Sequence, residues 1–288
     1  MRLGRLALLH PFPTVLVAAA TGVLGLVAGA GVESAAIMAV SMAGFQAAIG
    51  TVNDLVDAPS DAVGQPWKPI PAGRVSRRVA EIVALTAAAL GVVGSAALGA
   101  GTLVVGLAGL GLGLAYDMWA KRAGWGWLCL TLALPLVPVY AWLGAGAGLP
   151  PDLGLLVVMA VLAGVELAIA NGLVDLAADT ESGSRSIAVR LGPSRGRLVM
   201  VVAAAALIGL AWLTGVDAAD RALGPALPLA LGLMAVGSAL LLLGVIWSAR
   251  RGERGAWRGW HVQTVGVAGL AIGWFVLLAA EPVAGLAA

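Results

Sequence analysis

Apolar residues run along this chain in long blocks separated by short polar stretches. They do not alternate with polar ones. Nine blocks stand out, at about 11–31, 35–56, 79–99, 101–116, 126–147, 152–172, 198–216, 226–248 and 261–280. A helix needs roughly 20 mainly apolar residues to cross a bilayer. Only 101–116 is short for a span, and it is read as tilted or as starting nearer Gly99. An outer-membrane barrel would show short alternating segments instead. The pattern predicts an all-α polytopic membrane protein of nine transmembrane helices.

Composition sharpens this picture. Charged residues make up 11% of the 288 positions and hydrophobic ones 60%, and the mean hydropathy is +0.98. A soluble domain carries about 25% charge. The 41 glycines suit close helix packing in lipid, where small residues let backbones approach. The lone Cys129 cannot form an internal disulfide. The first apolar block is too long for a signal-peptide core and lacks a convincing cleavage site, so it is read as the first span.

The charges sort by side. With a cytoplasmic N-terminus, one face holds Arg2, Arg5, Lys68, Arg74, Arg77, Arg78, Lys121, Arg122 and the eight arginines of 185–197 and 250–258. The other face holds Arg221 alone. That is a strong positive-inside bias, and it supports nine spans with the C-terminus outside. The net charge of +2 is then an anchoring asymmetry, not a nucleic-acid patch. Trp119, Trp125, Trp127, Trp257 and Trp260 fall near span ends, as interfacial tryptophans do. Richness in Ala, Gly and Val suggests a GC-rich bacterial genome, hence a bacterial cell membrane.

One polar stretch breaks the apolar background. NDLVDAPSD, residues 53–61, closes the second span, and NGLVDLAADTESGSRS, residues 171–186, closes the sixth. Asn53, Asp57 and Asp61 match Asn171, Asp175 and Asp179 at a constant offset of 118 residues. Four spans separate the copies, so the repeat is parallel: two four-helix halves plus a ninth helix. Four-residue spacing puts such side chains in a column on one helix face, with Asp54 beside it. Pro59 is expected to end or kink the first helix near Asp57, leaving Asp61 on the loop. The second copy has no such break in its sequence.

Both copies sit at helix C-termini, where negative charge is unfavourable. A bound cation would relieve the grouped Asp54, Asp57, Asp61, Asp175 and Asp179. Donors that are all oxygen suit Mg²⁺ or Ca²⁺, and Mg²⁺ characteristically bridges a few carboxylates to substrate phosphates. Cations for the remaining phosphate charge stand on the same side: Lys68 and Arg74 in QPWKPIPAGRVS, Lys121 and Arg122 in YDMWAKR, and Arg185 after the second copy.

At these residues the chain resembles the UbiA superfamily of intramembrane prenyltransferases. NDLVDAPSD is similar to its first Asp-rich motif, KPIPAGRVS to the basic segment that follows, and DLAADTESGSRSIAVRLG to its second motif. Asn171–Gly172 stands where many members carry Asn-Asp. The resemblance implies Mg²⁺-dependent use of a prenyl diphosphate, with the lipid tail in a chamber open to the bilayer. It implies metal binding by Asn53, Asp54, Asp57, Asp61, Asp175 and Asp179. Lys68, Arg74, Lys121, Arg122, Asn171 and Arg185 would then hold the diphosphate. Tyr116 would offer an aromatic face to the allylic cation, and Lys121 is the favoured basic residue beside it. The prenyl group is expected to pass to a small-molecule acceptor, aromatic or otherwise electron-rich.

Three other readings stay open. A terpene cyclase of the same superfamily would close the cation on its own chain. A glycerol or sugar phosphate could replace the aromatic acceptor. An ion-coupled transporter could use the acids, although transporters gather such groups at the midplane between inverted repeats. Glu166, inside the sixth span, is a functional-site candidate by position. It either faces the chamber or bonds to a neighbouring helix. His10 and His261 are read as interfacial.

Overall fold

The computed structural model describes residues 4–181, 183–219, 226–249 and 253–279. Arg2, Arg221, Arg250, Arg251 and the C-terminal end, all used above to assign sides, lie outside the described residues. The chain divides into two compact units, Met1–Pro150 and Pro151–Ala288. Among the described residues both consist of helices and loops, with no strand.

The first unit opens with a 3₁₀ turn, Gly4–Leu9. It continues with α1 (Pro11–Val27), α2 (Val32–Gly64), α3 (Arg77–Leu98) and α4 (Ala100–Ala115). The path of α4 runs on through a π-helical turn, Tyr116–Ala120, and a last turn, Lys121–Ala123. That extension gives the short apolar block at 101–116 the length to span. α5 (Gly126–Ala133) and α6 (Leu136–Gly144) form one span interrupted at Pro135, which has no N–H to continue the ladder. Ser76 caps α3 by accepting from the Val79 amide at 3.3 Å. Ser95 of α3 and Tyr140 of α6 share a buried hydrogen bond of 2.8 Å.

The second unit holds α7 (Leu153–Val174), a short α8 (Leu176–Glu181), α9 (Ile187–Ala219), α10 (Ala226–Ala249) and α11 (Glu253–Ala279). α9 kinks at Gly192, whose φ of 72° precedes Pro193. α10 and α11 pack backbone to backbone. A Cβ on Gly237 would lie 2.3 Å from the Leu270 amide nitrogen, so only glycine permits this approach. Indole N–H groups tie the helices further. Trp212 donates to Ser238 and Trp274 to Thr214, both at 3.0 Å.

Eight of the described helical segments are long and apolar enough to cross a membrane, and Pro11–Val27 is a shorter apolar ninth. Each falls on one of the nine blocks. Leu, Val and Ile side chains stay exposed along them, among them Val93, Val104, Leu229 and Ile246. A lipid solvent accepts such surface.

Candidate active site

The first motif lies wholly on α2. Contrary to expectation, α2 does not end near Asp57; it runs through Pro59 to Gly64, so Asp61 is a helical residue and buried. Proline at 59 cannot donate to the carbonyl four residues back, Leu55. Arg77 supplies the missing donor, its Nη1 lying 3.5 Å from Leu55 O. Arg122 Nη2 approaches the Val56 carbonyl at 3.4 Å. A guanidinium from α3 thus serves the one carbonyl that the proline leaves open, and a second lies against the carbonyl next to it.

A continuous helix also splits the expected column. At about 100° per residue, Asp61 lies roughly 80° from Asn53 but only about 20° from Asp54. The contacts follow this geometry. Lys68 Nζ donates to Asp61 Oδ2 at 2.9 Å and reaches Asp54 Oδ1 at 3.2 Å. Asn53 and Asp57 turn instead toward the end of α4. Lys121 pairs with Asp57 Oδ2, Arg122 Nη2 lies 3.3 Å from Asp57 Oδ1, and Asn53 Nδ2 donates to Asp117 Oδ1 at 2.8 Å.

Lys68 sits in the loop between α2 and α3. Burial pulls its ammonium pKa down. The hydrogen bond to Asp61 and the charges of Asp54 and Asp61 outweigh that and hold it above the ordinary lysine value. Arg74, in the same loop, is exposed and donates to the Trp67 carbonyl, not to a carboxylate. Tyr116 is half-buried and opens the π-helical turn that leads to Lys121.

Two site residues escaped the sequence reading. His10 Nε2 lies 3.2 Å from Asp54 Oδ1. Its backbone is left-handed, φ 45°, and its ring fills the space where a Cβ on Gly50 would stand at 2.9 Å. The turn before it is fastened to α2: Leu8 is buried against Leu55 and Val75, and Thr51 donates to its carbonyl at 3.3 Å. Asp117 is buried beside Asn53. A histidine preceding the first-span proline and an acid following Tyr116 were the available signals, each a single residue.

The second motif is built differently. The sequence shows no breaker, yet α7 ends at Val174 and Asp175 takes a non-helical φ of −101° before α8 begins. The chain turns back tightly here, and Ala188 of α9 seats against Gly172, where a Cβ would lie 2.8 Å away. Asp175 is exposed, Asp179 and Asn171 are half-buried, and Arg185 is exposed on the loop. The Asp179 amide donates to the Asp175 carbonyl at 2.8 Å, and Ser184 N to Asp179 O at 2.9 Å. Glu166 is fully buried in α7, with no hydrogen-bond partner for either oxygen.

Among the described residues no three Asp, Glu, His or Cys side chains close a metal cage. What the first unit offers is a row of oxygen donors with cations beside them. Such a donor set fits Mg²⁺, which is commonly held by one or two carboxylates and completed by substrate phosphates and water.

The sequence profile of the UbiA prenyltransferase family matches residues 11–259. The chain belongs to the UbiA prenyltransferase family. It is therefore an integral membrane protein of the prenyltransferase class. A digeranylgeranylglyceryl phosphate synthase of Methanopyrus kandleri is 31% identical over 281 residues, covering 95% of this chain and 97% of that one. A UbiA homologue from Aeropyrum pernix shares the fold with a TM-score of 0.70 at 21% identity, over 90% of this chain and 97% of its own. Another, from Archaeoglobus fulgidus and bound to GPP and Mg²⁺, gives 0.68 at 19% identity over 94% and 98%.

Proposed function

We propose that this UbiA family member transfers a prenyl group from an allylic diphosphate to an acceptor, with Mg²⁺ as cofactor. One observation carries the reading. Three cationic side chains, Lys68, Lys121 and Arg122, converge from two separate segments on the carboxylates of NDLVDAPSD. Carboxylates alone would suit a metal and cations alone an anion. Their interleaving suits a metal diphosphate, which carries both signs.

Asn53, Asp54, Asp57 and Asp61, joined by Asp175 and Asp179 of the second motif, would hold the ion. When bound, Mg²⁺ neutralises the charge that gathers on the diphosphate as its C–O bond breaks. Lys121 and Arg122 exchange Asp57 for diphosphate oxygens, and Lys68 and Arg185 take others, with Asn171 beside them. Lys68, Lys121 and Arg122 already stand beside the first motif, which supports electrostatic help at little reorganisation cost at the moment of ionisation. Arg74 acts at most through the loop that carries Lys68. The half-buried ring of Tyr116 would offer its face to the allylic cation. The apolar helices solvate the tail and keep water from quenching the cation. The acceptor oxygen then attacks C1 and loses its proton, giving the prenylated acceptor and free diphosphate.

The name of the Methanopyrus relative supports a glyceryl phosphate acceptor over the aromatic ring favoured from sequence. The sorting of Lys and Arg supports a site on the cytoplasmic side. The test is incubation of the purified protein with Mg²⁺ and prenyl diphosphates of several lengths. A prenylated glyceryl phosphate and aromatic acceptors are supplied in separate arms, and products are identified by mass. Transfer with release of diphosphate is expected in the glyceryl arm. Transfer only to a ring would change the acceptor. A cyclised product formed from diphosphate alone would replace transfer by cyclisation.

A further inference from the structure

Asp117 has no part in the reaction outlined above, and its placement is costly. It is 1% exposed, and its Oδ2 is buried without a hydrogen-bond partner. A buried carboxylate with an unsatisfied oxygen is an expensive way to fill space, and a neutral side chain would be cheaper. It also lies in the π-helical turn Tyr116–Ala120, between Tyr116 and Lys121. Such turns are often found at functional sites.

What a carboxylate does that serine or asparagine cannot is accept without ever donating. Its hydrogen bond to Asn53 uses that property. Asp117 Oδ1 accepts from Asn53 Nδ2 at 2.8 Å. An asparagine amide can present either its nitrogen or its oxygen to a neighbour. Facing a carboxylate, only the nitrogen is allowed, and the amide oxygen is turned to the other side. Asn53 can serve a cation only through that oxygen.

We propose that Asp117 is a positioning residue that fixes the amide of Asn53, so that Asn53 presents its carbonyl oxygen to the divalent ion of the first motif. The inference rests on the metal-diphosphate reading and deepens it. Partners that orient ligands in this way commonly matter nearly as much as the ligands themselves.

The test uses Mn²⁺ and inorganic diphosphate on the purified full chain. Bound Mn²⁺ is read by electron paramagnetic resonance, and folding by the thermal midpoint. D117A should weaken Mn²⁺ binding by about 10–100-fold. N53A should do the same, and N53A/D117A should be no worse than N53A alone. The decisive variant is the exchange N53D/D117N. It keeps one carboxylate and one amide but swaps their places. The amide at 117 then donates inward, and the carboxylate at 53 offers an oxygen outward. Mn²⁺ binding should return to near the wild-type value. Losses that multiply in N53A/D117A overturn the proposal. So does an exchange variant that unfolds at the wild-type temperature yet binds no better than D117A. Failure of the wild type to bind Mn²⁺ with diphosphate would sink the functional reading itself. Wild-type binding and transfer with an unrescued exchange sinks only the role of Asp117.

Discussion

The two Asp motifs are close copies in sequence and opposites in structure. The copy with a proline continues as one helix to Gly64, and its three carboxylates nearest the loop are held by Lys68, Lys121 and Arg122 with His10 beside them. The copy without a proline breaks at Asp175, which lies exposed between two helices. Helix continuation is therefore decided by what the backbone meets. Arg77 and Arg122 reach the carbonyls around Pro59, and tight packing of Ala188 on Gly172 accompanies the turn at Asp175. The contrast suggests a division of labour. The first motif meets a ligand with its carboxylates already paired to cations, whereas Asp175 of the second stands exposed.

Breaking each motif should separate stability from activity. D57A leaves the half-buried Lys121 without its carboxylate. We expect a loss of about 1.5–3 kcal/mol in unfolding free energy and a fall in transfer of about 10²–10³-fold. D175A should lower transfer by a similar factor but shift stability by only about 0.5 kcal/mol, as exposed sites do. Product assays and thermal unfolding in detergent check both. Equal destabilisation by the two would erase the contrast.

A subtler effect follows from competition. Lys121 and a divalent ion both want Asp57. K121M should tighten Mn²⁺ binding about tenfold when no diphosphate is present, equivalent to ~1.4 kcal/mol. The same variant should weaken diphosphate binding. Calorimetric titration of each ligand reads this. A variant that weakens Mn²⁺ binding in the absence of diphosphate would show that Lys121 supports the metal directly.

The helix through Pro59 gives a smaller handle. R77A should cost about 1 kcal/mol by leaving the Leu55 carbonyl unmatched. In a P59A background the restored N–H serves that carbonyl, and most of the cost should vanish. Unfolding of the four proteins closes the cycle.

The smallest effect concerns pH. Lys68 has a raised pKa in the fold. The stability it contributes is fully present below the ordinary lysine value and is lost as pH rises through the higher folded value. Its contribution should hold steady from neutrality to about pH 9 and decline only above about 10.5. A comparison of K68M with the wild type across that range checks it.

Much of this was legible in the sequence. The nine apolar blocks coincide with the helices because spanning length and hydropathy leave few alternatives. The repeat was legible because its spacing is exact over three polar residues in an apolar background. Asp61 and Asp175 were misplaced for one reason. Local rules assign a breaker to Pro59 and none to residues 171–179. The deciding contacts come from Arg77, Arg122 and Ala188, which no window around the motifs contains. His10 and Asp117 were missed because each is a lone polar residue whose partner lies more than forty positions away.

The central claim is that the two motifs act on one metal diphosphate. Its most direct test is Mn²⁺ binding in the presence of inorganic diphosphate, measured for the wild type, D57A, D175A and the double variant. The account predicts that either single change removes most of the diphosphate-dependent binding and that the double is little worse. Full retention by D175A, or losses that simply multiply, would contradict it.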